Sequence, residues 1–186
     1  MVFTAHFDHL GMMGDALFAG ANDNASGSAF LLHQAQKTQN STEKPHYSQV
    51  YVFFGAEEAG LVGSRYFVEN SPLDLSAIKF VLNMDLMGTG EDGFAVVNAT
   101  SFPKEFAIME AINEEHKLFK RIKKRNQAAN SDHFFFSQVG VPAFFIYTMG
   151  GLTFYHDIYD LPATLPMSHV EEMSQLLDLF VKELSR

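Results

Sequence analysis

The sequence predicts a single α/β domain in which helices cover both faces of one sheet, a three-layer sandwich. Two observations carry this. Short runs that are apolar along their whole length alternate with longer segments of helical spacing. Strands apolar on both faces belong to a sheet covered on both sides. The 186 residues are 47% hydrophobic and include 19 phenylalanines, enough to bury a substantial core in one domain.

VFTAHF (2–7) reads as the first strand. SGSAFLLHQAQK (26–37) follows as a helix, with Ser26 as its cap. TQNSTEKPHYS (38–48) is polar and broken by Pro45, a connection rather than a domain boundary. QVYVFFG (49–55) is a buried strand closed by glycine, and GLVGSRYFVEN (60–70) is helical. IKFVLNMD (78–85) and FAVVNA (94–99) are strands. PKEFAIMEAINEEHKLF (103–119) keeps helical apolar spacing, with Pro103 in its first turn. KRIKKR (120–125) alternates basic and apolar residues, as a short edge strand with solvated lysines does; an anion site is the alternative. VPAFFIYTM (141–149) is another apolar strand. SHVEEMSQLLDLFVKELS (168–185) is an amphipathic helix opened by a Ser168/Glu171 capping box.

Composition excludes several classes. A formal charge of −9, from 13 basic and 22 acidic residues, argues against a nucleic-acid partner. No run approaches the roughly 18 to 20 apolar residues of a membrane span, and the chain opens on a strand with no signal peptide in view. The absence of cysteine excludes disulfides and thiolate metal sites, so any metal must be held by His, Asp and Glu.

Such residues gather at the ends of the expected strands, where open α/β sheets bind ligands. The first strand runs into His6, Asp8 and His9, the second into Glu57 and Glu58, and the third into Asp85. The last leads through Gly150 and Gly151 to His156 and Asp160, while Asp23 lies in a loop before a helix. Each alone has an ordinary explanation: a turn former, an acidic helix start, a structural histidine. Together they crowd carboxylates onto one rim, where repulsion raises their pKa values or destabilises the fold. A pair of divalent cations removes that difficulty. Three carboxylate ligands supply about −3, two zinc ions about +4 and a bridging hydroxide about −1.

Six ordered blocks resemble the zinc exopeptidases of the aminopeptidase Y and bacterial leucyl aminopeptidase type. They are HFDHLG (6–11), GANDNASG (20–27), GAEEAGLVGS (55–64), NMDLMG (83–88), NSDHFFFSQVGVPA (130–143) and YHDIYDLP (155–162), and they span nearly the whole chain. Relatives of that type include glutamate carboxypeptidase, glutaminyl cyclase and the transferrin receptor ectodomain. The resemblance implies one catalytic domain over residues 1–186, with the mixed, mostly parallel sheet of phosphorylase/hydrolase-like zinc peptidases. It implies two Zn2+ or related divalent ions, with His6 and Asp85 at the first, Glu58 and His156 at the second, and Asp23 bridging. Asp8 would aim His6 by accepting its other ring proton. Glu57 would be the general base and acid.

Around these, the resemblance implies that Ser131 lines the substrate pocket, with Tyr155 beside it; Asp160 either supports His156 or caps a turn, and Met149 and Leu152 either form an apolar wall near the metals or belong to ordinary packing. Met12, Met13, Phe18 and Phe154 are further apolar candidates, with ordinary packing as the alternative. His133 and Asp132 are either a structural hydrogen-bonded pair or contributors to catalysis. His9 reads as a loop-stabilising side chain rather than a third ligand, and the Asp23–Asn24 peptide is expected to be cis. Members of the family carry a substantial segment before the first metal strand, whereas five residues precede His6 here. The resemblance therefore implies that N-terminal strands are missing, leaving a sheet edge for a partner or a second copy to cover. The expected activity is removal of N-terminal residues from peptides. Glutaminyl cyclase-like chemistry, carboxypeptidase activity and a non-catalytic binding module are the alternatives. Resemblance also favours a secreted or periplasmic setting.

Overall fold

The computed structural model describes residues 1–185. Its strands are β1 (Val2–His6), β2 (Gly11–Met13), β3 (Ala16–Phe18), β4 (Val50–Phe54), β5 (Val81–Met84), β6 (Gly93–Val97), β7 (Ile122–Lys124) and β8 (Ala143–Met149). The α-helices are α1 (Gly27–Asn40), α2 (Val62–Glu69), α3 (Pro103–His116), α4 (His133–Gln138) and α5 (Val170–Glu183). Six strands form one sheet in the order β4-β1-β5-β8-β6-β7, and β2 with β3 forms a separate hairpin. The first four sheet strands are parallel; β6 runs antiparallel to β8 and carries β7 parallel to itself. This is the mixed, mostly parallel sheet expected.

The strand period of two sorts side chains between the faces. Phe3, Leu82, Met84, Phe144 and Ile146 pack beneath α1, α3 and α5. Val2, Val81 and Ala143 pack on the other side with Val68 of α2 and Phe136 of α4. Phe80 anchors the larger layer, with ring centroids of Phe144, Phe180 and Phe102 at 4.8, 5.7 and 5.9 Å. Among the described residues no helix is long and apolar enough to cross a membrane.

The structure departs from the sequence reading in several places. β4 is only half-buried, with Phe53 36% exposed, because it lies at a sheet edge with β1 as its sheet neighbour. β7 occupies the opposite edge, as its lysines suggested. Ser26 does not cap α1: its hydroxyl donates to Asn22 O (2.6 Å) and accepts from Met87 N (2.7 Å), tying two loops together. Ser168 does not box α5 either; its Oγ bonds Glu91 Oε1 at 2.5 Å and the N-cap position falls to His169. The β2–β3 hairpin and α4 were not expected. Strands of three residues and a helix of six are too short to display a period.

Phe80→Ala should destabilise the fold by about 3–5 kcal/mol, as expected for emptying a fully packed aromatic site. Denaturant titration measures it, and a loss under about 1 kcal/mol would contradict the packing described.

Candidate metal centre

His6 closes β1, Glu57 and Glu58 follow β4, and Asp85 follows β5, so all four project from the carboxyl ends of parallel neighbours. Asp23 reaches the same rim from the turn before α1, and His156 from the loop after β8. His6 Nε2 lies 3.4 Å from Asp23 Oδ1, 3.5 Å from Asp85 Oδ2 and 4.0 Å from Glu57 Oε2. His156 Nε2 lies 3.2 Å from both Asp23 Oδ2 and Glu58 Oε2. One oxygen of Asp23 thus faces each histidine. Two donors on a tetrahedral zinc, with bonds near 2.0–2.1 Å, sit about 3.3 Å apart. The 3.2–3.5 Å spacings match that figure. His6 Nε2 and Asp85 Oδ1 are buried with no hydrogen-bond partner among the described residues, an arrangement that a cation would relieve. Two groups of donors lie close enough together to hold a divalent ion, His6 with Glu57 and Asp85, and His9 with Asp23 and Glu58, and His156 faces the second group.

Main-chain amides hold the ring of carboxylates in place. Asp8 spends both oxygens on the N–H groups of Glu57 (3.1 Å) and Glu58 (3.2 Å). Asp160, 2% exposed, does the same for Asn22 (2.8 Å) and Asp23 (3.0 Å). Asn24 bonds Met84 O and the Gly27 N–H through its side chain, and the Asp23–Asn24 peptide is cis. Gly20 (φ +65°) begins this turn; a Cβ there would lie 2.4 Å from the His9 ring.

The sequence model of peptidase family M28 matches residues 1–181. The chain belongs to peptidase family M28. Aminopeptidase YwaD of Bacillus subtilis is 27% identical over 141 residues, which cover 74% of this chain and 30% of that relative. Among solved structures, a zinc aminopeptidase from Bacillus subtilis, BSAP, superposes with a TM-score of 0.79 at 23% identity, covering 98% of this chain and 45% of that one. A glutaminyl cyclase from an Acidobacteriales bacterium superposes with a TM-score of 0.83 at 21% identity, covering 99% and 68%. Identities this low speak to the fold. The chain spans from 15% to 47% of the length of curated relatives it matches.

The support network of this M28 chain differs from the roles drawn by resemblance. The Asp8 carboxylate does not take the ring proton of His6: Oδ1 stands 3.7 Å from Nδ1, whereas the Asp8 main-chain carbonyl is at 3.1 Å. Its carboxylate is already committed to the two glutamate amides. Asp160 likewise supports Asp23 and not His156. Ser131 is fully buried and is not in the wall of the cavity beside the rim; it donates to Asp85 Oδ2 (3.1 Å) and accepts from Asn83 Nδ2 (2.7 Å), and Asn83 Oδ1 accepts from Thr4 (2.6 Å). His133 packs against Phe145 and makes no bond to Asp132; burial pushes its pKa down to about 4, leaving it neutral. Asp132, equally buried, is pushed up to about 6 by burial, against the pull of Ser64 and His6.

Met149, Leu152 and Tyr155 do line a cavity of about 250 Å³ beside the rim, together with Phe154 and Tyr147. Met12 and Met13 instead project from the hairpin, 62% and 54% exposed. A larger hollow of about 480 Å³ lies between the end of α1 and α5, away from these donors. His9, read from the sequence as a loop-stabilising side chain, stands among the donors instead. Its Nδ1 sits 2.8 Å from Glu58 Oε1 and its ring meets that of His156 edge-on at 5.6 Å. The nearest signal was its place in HFDHLG, three residues after His6.

Electrostatics are severe without a cation. Burial, then Asp85 and Glu58, push Asp23 up to about 8 despite His6. Burial pushes Glu57 up to about 8 as well, with Asp85, Asp132 and Glu58 adding and His6 opposing. For His6, burial acts downward but is outweighed by Asp85, Glu57 and Asp23, which raise it to about 10. All three groups hold more protons folded than unfolded. For the two acids the penalty grows as pH rises from the ordinary carboxyl range to about 8. For His6 the stabilisation present below 6.5 is lost as pH rises through about 10. The chelator-treated protein should therefore lose thermal stability steadily between pH 5 and 9. Added zinc should restore more at the alkaline end. A melting temperature independent of pH across that window would contradict the clustering.

Proposed function

We propose that this chain is the catalytic domain of a two-zinc exopeptidase that removes N-terminal residues from peptides. The observation that carries the reading is Asp23, whose two oxygens face separate histidines, with Glu57 beside the first of them. His6, Asp85 and Asp23 would hold one ion, and Asp23, Glu58 and His156 the other. When bound, such a pair supplies a Lewis acid for the scissile carbonyl and lowers the pKa of the attacking water. Glu57 takes the proton from that water and passes it to the departing amine. Glu58, its chain neighbour, points to the other histidine, so the two glutamates are free for different tasks.

The end of the peptide follows from charge. The rim is rich in carboxylates, and no Lys or Arg lines the adjoining cavity. A C-terminal carboxylate finds no cationic side chain to pair with there. The cavity of about 250 Å³, with Met149, Leu152 and Phe154 in its wall, accepts an apolar side chain from the terminal residue. Tyr155 covers His156, with ring centroids 4.0 Å apart.

Hydrolysis of leucyl-p-nitroanilide, with its N-acetylated counterpart and an N-terminal glutaminyl peptide as controls, tests this reading. Cleavage confined to the free amine is expected; cyclisation of the glutaminyl peptide without hydrolysis would sink the peptidase reading. Glu57→Gln should lower kcat by about 10²–10⁴-fold while zinc stoichiometry by atomic absorption stays at the wild-type value. Asp85→Ala should instead reduce the zinc bound, and retention of full stoichiometry would remove Asp85 from the ligand set.

A further inference from the structure

We propose that His9 is a positioning residue of the second metal position: its Nδ1 holds Glu58 Oε1, leaving Oε2 as the oxygen presented beside His156. This rests on the two-metal reading above.

The distances separate a ligand from a support. His156 stands 3.2 Å from Glu58 Oε2 and 3.2 Å from Asp23 Oδ2, near the roughly 3.3 Å that separates two donors on one tetrahedral zinc. His9 stands differently. Its Nδ1 is 2.8 Å from Glu58 Oε1, a donor–acceptor distance, and 4.0 Å from Asp23 Oδ2, too far for an adjacent corner of the same tetrahedron. The two oxygens of Glu58 are thereby divided between the two imidazoles.

The fold gives His9 a prepared place. Its side chain is 6% exposed, and neither ring nitrogen has a hydrogen-bond partner among the described residues. The ring occupies space that any side chain at position 20 would fill, since a Cβ on Gly20 would lie 2.4 Å from His9 Cγ. Its approach to Oε1 lies off the N–H axis, so the contact is one of proximity and charge in this structure. A histidine so placed fixes the rotamer of Glu58, much as outer partners of metal ligands generally set orientation.

Co2+ titration of the full chain, followed by calorimetry and visible absorption without substrate, tests this. The variants are His9→Ala, His9→Asn and, as a ligand control, His156→Ala. Asparagine can place an amide N–H near the position of Nδ1 but has no imidazole. Wild type should take two ions. His9→Ala should bind the second about 10–100-fold more weakly, with the band of the fully loaded protein unchanged, and His9→Asn should recover to within about threefold.

Wild-type affinity in His9→Ala would overturn the proposal. A band altered as in His156→Ala would make His9 a ligand and overturn it too, as would His9→Asn binding no better than His9→Ala. If His9→Ala fails to fold by circular dichroism, His9→Asn decides: near-wild-type affinity with an unchanged band supports the assignment, and weakening beyond about tenfold or a changed band refutes it. Fewer than two ions on the wild type would instead defeat the two-metal reading itself.

Discussion

Asp23, Glu57, Glu58 and Asp85 converge within a few ångströms of His6 and His156, at the carboxyl ends of parallel strands. Carboxylates this close, and this deeply buried, resist ionising together. Burial, with repulsion from neighbouring carboxylates added, raises Asp23 and Glu57, and attraction to those carboxylates raises His6. Much of the surrounding architecture serves to hold the groups together regardless. Asp8 and Asp160 each bind two consecutive amides, pinning Glu57–Glu58 and Asn22–Asp23 as pairs. A buried chain of Thr4, Asn83 and Ser131 reaches Asp85 from inside the sheet. A bound divalent cation would convert the same crowding into binding free energy, so the strain of the rim and an affinity for metal would have one origin.

Two packed layers make such a rim rigid. Phe80, Phe144 and Phe180 interlock under α5, while Val81, Ala143 and Phe136 close the other face. The parallel run β4-β1-β5-β8 sets neighbouring strand ends side by side, which is why His6, Glu57–Glu58, Asp85 and the β8 loop meet. The antiparallel β6 and its partner β7 extend the sheet without adding donors to the cluster.

Adjacent glutamates that face different histidines follow from the same scaffold. Glu57 reaches toward His6, and Glu58 toward His156 and His9. Asp8 fixes both of their amides, so the backbone from which the two side chains diverge is held in place. The adjoining cavity adds apolar surface on one side of this charged rim, with Tyr155 stacked on the exposed His156.

The residue pattern by itself determined the long elements, the three-layer class and the residues at the strand ends, because apolar runs and helical spacing are local signals. Short pieces escaped it: α4 and the β2–β3 hairpin are below the length at which periodicity is visible. The capping roles read for Ser26 and Ser168 also failed, since those hydroxyls found partners far along the chain, Met87 and Glu91. Only the tertiary structure decided that Asp8 serves the glutamate amides, that Asp160 serves Asp23, that Ser131 lies under Asp85, and that His9 touches Glu58. The physical reason is range. A strand end is specified within a few residues, but which oxygen meets which N–H depends on strand order and loop path, set by contacts across more than a hundred residues of chain, as between Asp23 and Asp160.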